Sequence, residues 1–324
     1  MPLPVPCRRI LLLSSSPAKV LIKNAIFESY MEKCHKYTVA GHSFGIILPD
    51  EAEAAVLLGN YQPFASEGEH DLCFVLTLSY TEDLQKSRSG ELKGCFNDEA
   101  PYFWLFDDGG SKRFGFSAGK SAIDCLVCPS EDMTRAEVIV GSNASLAKKA
   151  FALNNAAMIM YAASTLPNAT LMVHASVVDC EDGGFMFLGK SGTGKSTHAR
   201  QWLELFHDAE LLNDDNPIVR VIENEVLVFG SPWSGKTPCY KNASTSLRGI
   251  VRLSQAPLNR ASKSAPLQAY ASLMPSCSCL RWDPEATRIL HETVETVISK
   301  VGVWSLECLP DKDAARVCRE TCKC

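Results

Sequence analysis

The sequence has no apolar run long enough to cross a bilayer. Its longest apolar stretch, residues 150–163, is interrupted by Asn154 and Asn155, whereas a spanning helix needs about 20 apolar residues. Residues 10–13 are apolar and follow two arginines, but this run is too short for a secretory signal, and serines come next. We interpret residues 10–13 as an early strand or a disordered lead-in. We expect a cytoplasmic protein with no membrane partner.

A strong charge imbalance is also absent. The chain has 32 lysines and arginines against 37 aspartates and glutamates, which gives a net charge of -5. It has no basic run with interleaved aromatic residues, the pattern that marks many nucleic-acid-binding proteins. We therefore expect no nucleic-acid partner.

The 14 cysteines lack the paired spacing of a zinc module and the density of a small secreted disulfide scaffold. We predict reduced thiols. A structural metal is the alternative at three short motifs, namely Cys125-x-x-Cys128, Cys277-x-Cys279 and Cys318-x-x-x-Cys322-x-Cys324.

One segment carries a specific pattern, because residues 189–196 fit the phosphate-binding motif G-x-x-x-x-G-K-[ST]. Apolar residues 185–188 precede this segment, and apolar residues recur after it at the spacing of a helix face. The motif is therefore predicted to join a strand to a helix. We call residues 189–196 the glycine loop; its members are Gly189, Lys190, Ser191, Gly192, Thr193, Gly194, Lys195 and Ser196, with Thr197 following.

Each constrained position of the glycine loop has a chemical reason. Its glycines let backbone N–H groups turn toward phosphate oxygens, Lys195 can bring a cation to the β and γ phosphates, and the Ser196 hydroxyl can bind Mg²⁺. We therefore predict that residues 189–197 bind a nucleoside triphosphate with Mg²⁺. The alternative is a glycine-rich turn that only caps a helix.

The remaining pattern predicts an α/β chain with two domains, a mostly β domain over residues 1–142 and a second domain over residues 143–324. In the first, short strands are predicted at 37–48, 72–80, 113–117, 125–128 and 137–140, with an exposed loop over 81–97. A long helix over 145–164 is predicted to join this domain to the second. In the second, strand 171–178 is predicted to form a hairpin with strand 185–188, and 218–222 with 226–229. Antiparallel hairpins beside the glycine loop predict a mixed sheet rather than a parallel one.

An adjacent pair of carboxylates, Asp214 and Asp215, follows a short apolar strand downstream of the glycine loop. Phosphoryl transfer to an alcohol needs one carboxylate for Mg²⁺ and another to position the acceptor and accept its proton. Adjacent strand residues point to opposite faces, so one of the two aspartates could instead brace the fold. His174 precedes the loop strand in the predicted hairpin, where it could orient a catalytic aspartate or be an ordinary core histidine.

Two further segments are candidates. Residues 230–237 contain Trp233 and Lys236 between glycines and could close over a phosphate or acceptor, or form a rigid turn. Arg260 could neutralise transferring charge, and Arg248 and Arg252 are weaker candidates for that role.

From the histidine strand through the glycine loop to the Asp-Asp pair, the chain resembles the kinase domain of bacterial HPr kinase/phosphorylase, a relative of ATP-dependent phosphoenolpyruvate carboxykinase. The resemblance covers roughly residues 145–310. It implies a mixed-sheet kinase domain of that type with ATP and Mg²⁺ as cofactors, preceded by the smaller β domain.

For the site, the resemblance implies one of Asp214 and Asp215 as catalytic base with the other near the metal. His174 would assist the base, and Arg260 would be the catalytic arginine. We assign Mg²⁺ to Ser196 and Asp215. The implied reaction is transfer of the γ-phosphoryl group to a hydroxyl, such as a serine, of a protein, peptide or small molecule.

This chain departs from the family at two places. Thr197 replaces the glutamate that commonly follows the loop serine, and the Arg-Gly-Leu-Gly-Ile signature is missing. The alternatives are a nucleotide-binding regulatory protein without turnover and a carboxykinase-like phosphotransferase. A homo-oligomer is expected by analogy only.

Overall fold

A computed structural model describes residues 33–68, 71–96, 101–120, 122–235 and 237–322. The strand or lead-in proposed for residues 10–13, and Lys236 and Cys324, lie outside the described residues. The described residues from His35 onward form one compact unit by their contacts.

The strands of the first half form a mixed sheet in the order β1-β2-β3-β8-β7-β6-β5-β4. Strand β3 is parallel to β2 and β8, and the other pairs are antiparallel. Its described strands are β1 (His35–Val39), β2 (His42–Ile47), β3 (Leu72–Thr81), β4 (Glu91–Phe96), β5 (Tyr102–Asp108), β6 (Ser111–Ser117), β7 (Cys125–Pro129) and β8 (Arg135–Gly141).

The strands of the second half form another mixed sheet. Strand β11 is antiparallel to β10 and parallel to β15, which is in turn parallel to β17. The start of β15 also pairs with β14, and this contact attaches β13 and β9. The described strands are β9 (Thr170–Met172), β10 (Ala175–Cys180), β11 (Gly183–Leu188), β12 (Glu210–Asp215), β13 (Ile218–Ile222), β14 (Glu225–Phe229), β15 (Ser244–Gln255), β16 (Arg260–Lys263) and β17 (Gly302–Cys308). The predicted mixed α/β class is confirmed.

The helices cover these sheets. The described α-helices are α1 (Ala54–Leu57), α2 (Leu84–Ser87), α3 (Leu146–Thr165), α4 (Lys195–Leu205), α5 (Pro266–Leu273), α6 (Pro284–Lys300) and α7 (Lys312–Thr321). Helix α3 begins after Ser145, whose hydroxyl accepts a hydrogen bond from the Lys148 N–H, and it packs on the first sheet.

Strand periodicity explains the two apolar layers of the second sheet. Phe185 and Phe187 on β11 pack with helices α4 and α7, whereas Met186 between them packs with α5 and α6. Successive side chains of a strand point to opposite faces, so a strand buried on both faces is apolar throughout. The loop strand therefore lies at the centre of a helix–sheet–helix arrangement.

Two parts of the chain differ from the sequence predictions. The segment 81–97 is not simply an exposed loop, because it contains α2 and the edge strand β4, whose residues are mostly exposed. An edge strand with charged side chains lacks the apolar alternation that predicts a strand. The predicted strand 171–178 is also interrupted after Met172, where the Val173 and His174 N–H groups donate to Pro217 and Ser276 carbonyls instead.

The predicted boundary between residues 142 and 143 falls between β8 and α3. One apolar cluster extends across it and joins Phe44 and Phe74 of the first sheet to Tyr161 of α3 and to Trp233. The division into two domains stays a prediction.

The described part of the chain contains no helix with both the length and the apolar composition to span a membrane. Among the same residues, no group of three or more His, Cys, Asp or Glu side chains could hold a metal ion. The motif cysteines within the described ranges are free thiols in the structure, namely Cys125, Cys128, Cys277, Cys279, Cys318 and Cys322.

Gly230 provides a test of how tightly the second half is packed. A Cβ atom at this position would collide with the backbone carbonyl oxygen of Lys241, and backbone atoms cannot move aside as the end of a side chain can. We expect Gly230→Ala to lower the free energy of unfolding by about 3 kcal/mol in urea denaturation. Gly119→Ala is the matched control, because a Cβ there meets nothing within 4 Å. Equal midpoints for the two variants would contradict the close backbone contact.

Candidate active site

The glycine loop joins β11 to α4 as the sequence predicts. Gly192 and Gly194 have φ angles of 77° and 109°, a region that residues with a Cβ rarely adopt. A Cβ at either position would extend into open space rather than into protein. These glycines are therefore needed for the backbone path of the loop, and they leave room beside it.

The ammonium group of Lys195 lies under the loop. Its Nζ donates to the Gly189 carbonyl over 3.0 Å and lies 2.9 Å from Nε2 of His174. Because an ammonium group has only donors, Nε2 must accept, and the ring proton is then carried on Nδ1. Nδ1 lies 3.2 Å from Oδ1 of Asp215. The three side chains thus lie in succession, with Lys195 beside His174 and His174 beside Asp215.

The charge of Lys195 is only partly compensated. Burial lowers the pKa of this ammonium group, the charges of Asp215 and Asp214 raise it, and the charge of Arg252 lowers it further. The net effect is a pKa below its ordinary value. An anion beside the loop would therefore be electrostatically stabilised.

Asp214 is buried at the end of β12. Its Oδ1 accepts hydrogen bonds from the hydroxyls of Ser176 on β10 and Ser196 on α4, the latter over 2.9 Å. Ser196 and Asp215 were predicted to share the metal ion, whereas the carboxylate found against Ser196 is that of Asp214.

Asp215 is partly exposed and has a φ angle of 149°, a backbone conformation that is strained for a residue with a side chain. Its Oδ2 accepts from Nδ2 of Asn216 over 2.7 Å, while Oδ1 faces His174. In a regular strand, Asp214 and Asp215 would point to opposite faces. With the backbone turned at Asp215, both carboxylates are close enough to Lys195 to shift its pKa.

The segment 230–235 packs directly against the two aspartates. The Gly235 N–H donates to the Asp214 carbonyl over 2.6 Å, and Ser234 forms a β-bridge with Asp215. Trp233 is 2% exposed and packs in the apolar cluster around Phe44. This part of the segment is thus a support for the aspartates, and its tryptophan does not cover the site.

The structure does not bring Arg260 to the other candidate residues. Arg260 lies on β16, is largely exposed, and pairs with Glu307 over 2.8 Å. Arg252 on β15 lies in register with Leu188, the last residue before the glycine loop. Its charge acts on Lys195. The signal for Arg252 was its place in the apolar run 250–253, which is typical of a strand; the pairing of this strand with the loop strand comes from the structure.

A cavity of about 570 Å³ adjoins the second half of the glycine loop. Of its wall, only the loop residues and Thr197 were predicted from the sequence, because the other members come from the ends of distant strands and from further along α4. Its lining residues are Gly192, Thr193, Gly194, Thr197, His198, Gln201, Leu253, Gln255, Ala256, Cys308, Leu309, Pro310 and Asp311.

The residues present fit Mg²⁺ as an oxygen-ligated ion. The Ser196 hydroxyl and the Asp214 carboxylate offer adjacent oxygen atoms, and Mg²⁺ is typically held by one or two carboxylates together with substrate phosphates and waters. A site of this kind needs no dedicated cage of protein side chains.

Comparisons with known proteins give little further support. No protein-family model and no curated protein matches this chain. Among solved structures, it is similar to the Hpr(Ser) kinase/phosphatase from Coxiella burnetii, with 11% identity, 46% of this chain and 95% of that chain covered, and a TM-score of 0.28. Because this similarity is weak, the functional assignment depends on the geometry of the site.

A buried histidine in the cavity wall predicts that the stability of the protein depends on pH. His198 is buried, its Nε2 accepts from Nε1 of Trp202 over 3.0 Å, and burial lowers its pKa from 6.5 to about 4. Between these values the unfolded chain binds a proton that the native protein does not, so stability falls as pH decreases. We expect a loss of up to about 3 kcal/mol from this residue between about pH 7 and about pH 4, measured by urea unfolding.

His198→Gln is the matched variant, because a side-chain carbonyl can still accept from Trp202 while no longer titrating. His42, whose pKa burial also lowers to about 4, provides a second contribution that should remain. An unchanged pH slope in His198→Gln would contradict the buried neutral histidine.

Proposed function

We propose that this protein is a phosphotransferase that moves the γ-phosphoryl group of ATP to a hydroxyl acceptor. The observation that carries the proposal is the convergence at the glycine loop. Ser196 of the motif contacts one aspartate, and Lys195 is linked through His174 to the other. A turn that only capped a helix would need neither link.

Binding of the triphosphate depends on the loop and on the start of α4. N–H groups at a helix N-terminus favour anions, and the buried Lys195 ammonium is positioned to leave His174 for phosphate oxygens. Mg²⁺, which Ser196 and Asp214 would hold, neutralises charge that develops on the transferred group. We therefore assign the metal-side role to Asp214 rather than to Asp215.

Asp215 has the position of a catalytic base. It is partly exposed and its Oδ1 lies 3.2 Å from Nδ1 of His174, so an acceptor hydroxyl can approach it and be oriented by it. In this role His174 keeps the carboxylate aligned and connects it to the lysine that binds phosphate.

The cavity beside Gly192–Thr193–Gly194 is the proposed nucleoside site. It is continuous with the second half of the glycine loop and has an apolar wall that includes Leu253 and Leu309. Binding pockets of small molecules combine apolar walls with a few polar groups, and Gln255 and Asp311 supply such groups here.

Lys195→Ala tests triphosphate binding. We expect the affinity for ATP to fall by at least about tenfold, because one charge-assisted contact to phosphate is lost. The measurement is titration with a fluorescent ATP analogue in the presence of Mg²⁺. Lys300→Ala removes an exposed lysine at the end of α6 and should keep the wild-type affinity; equal affinities in the two variants would argue against the loop as the triphosphate site.

Asp215→Asn separates binding from chemistry. The amide keeps the size of the side chain but loses the base, so we expect ATP affinity within about twofold of wild type and a turnover lower by about 10² to 10⁴. Asp214→Asn should instead weaken the Mg²⁺ dependence of ATP binding. Normal turnover of Asp215→Asn would remove this residue from the mechanism.

The acceptor is found by incubating the protein with γ-labelled ATP and fractionated lysate, followed by mass spectrometry of the labelled fraction. A labelled protein, peptide or metabolite would each support the proposal and identify the acceptor class. Binding of ATP and Mg²⁺ with no labelled fraction would contradict the proposed phosphoryl transfer and would support a regulatory nucleotide-binding protein.

A further inference from the structure

A short segment in the first half of the chain is hydrogen-bonded to the residues that support the two aspartates. Residues Gly59–Phe64 form a 3₁₀ helix that follows α1. We call it the anchor segment. It contacts residues 230–235, which we call the support segment.

Asn60 makes the first contact. Its Nδ2 donates to the Pro232 carbonyl over 2.9 Å and to Oδ1 of Asn154 on α3 over 3.0 Å. The same Oδ1 accepts from the Tyr61 hydroxyl over 2.8 Å. The anchor segment is thus fixed on α3 and at the same time holds the support segment by its backbone.

Trp233 makes the second contact. Its Nε1 donates to the Tyr61 hydroxyl over 3.2 Å, and its ring packs against Tyr161 of α3 and Phe44 of β2. A buried tryptophan whose N–H has a partner is held in both position and rotation. The next two residues, Ser234 and Gly235, contact the aspartates.

The support segment then holds the end of β12 from two sides. Ser231 Oγ donates to the Asn216 carbonyl over 2.7 Å, and Gly235 donates to the Asp214 carbonyl. Asn213 Nδ2 donates to Oγ of Ser231 over 3.1 Å. Hydrogen bonds from residues 231–235 therefore fix the backbone on both sides of Asp215.

We infer that the anchor segment, through Asn60 and Tyr61, is a positioning element for Asp215 and thereby for the acceptor end of the site. This inference rests on the proposed function for its kinetic consequence. A strained conformation such as that of Asp215 persists only where surrounding structure holds it, and the contacts described here connect that structure to the first sheet. The glycine loop, by contrast, contacts neither Asn60 nor Tyr61 through any described hydrogen bond.

The inference predicts a separation of effects in Tyr61→Phe and Asn60→Ala. Nucleotide binding should stay within about twofold of wild type, while γ-phosphoryl transfer to the lysate fraction that the wild type labels should fall by at least about tenfold, since small misplacements of a reacting group are costly. Affinity is measured with a fluorescent ATP analogue. Hydrogen–deuterium exchange of the free protein is measured in peptides that cover residues 230–235, where we expect faster exchange.

Tyr161→Phe is the matched control. It removes a buried hydroxyl from the same apolar cluster, but that hydroxyl donates to the Val39 carbonyl and not to the support segment. We expect wild-type transfer and wild-type exchange over residues 230–235. If Tyr61→Phe and Tyr161→Phe change exchange or transfer to the same extent, the anchor segment has only a structural role and the inference is overturned.

The two proposals fail in different ways. Absence of transfer by the wild-type protein rejects the proposed function, yet the exchange comparison still decides whether the anchor segment holds the support segment. Normal transfer by wild type with unchanged exchange in Asn60→Ala and Tyr61→Phe rejects the positioning role alone.

Discussion

The buried carboxylate of Asp214 is the constraint on which the rest of the site depends. It joins three elements, since its Oδ1 accepts from Ser176 on β10 and Ser196 on α4 while its own backbone belongs to β12. A buried charge is tolerated only where such partners are present. By tying the first turn of α4 to the end of β12, this carboxylate sets the spacing at which Lys195, His174 and Asp215 form a connected chain.

The sequence predicted those parts of the fold that depend on neighbouring residues. The strand, loop and helix around residues 189–196 and the hairpin of β13 and β14 are visible as local periodicity with turn residues between. The parts it missed are set by distant partners. Strand β4 owes its exposed, charged sequence to its position at the edge of the sheet, and the break before His174 exists because this backbone pairs with Ser276, about a hundred residues later in the chain.

The site likewise combines residues that local sequence indicated with contacts that distant partners determine. The motif indicated Lys195 and Ser196, and the adjacent carboxylates indicated Asp214 and Asp215. Which partners each aspartate contacts could not be predicted from the sequence, because these contacts depend on the φ angle of Asp215 and on a support held by the first half of the chain. Similarly, Arg252 approaches Lys195 only through the parallel pairing of β11 with β15, which links residues more than sixty positions apart.

The depressed basicity of the Lys195 ammonium group has a thermodynamic consequence. An anion that binds beside it would raise the proton affinity of the amine, so association would be accompanied by proton uptake at alkaline pH. The calorimetric heat of association would then vary with the ionisation enthalpy of the buffer. That buffer dependence would report on a single buried amine without any change in the chain.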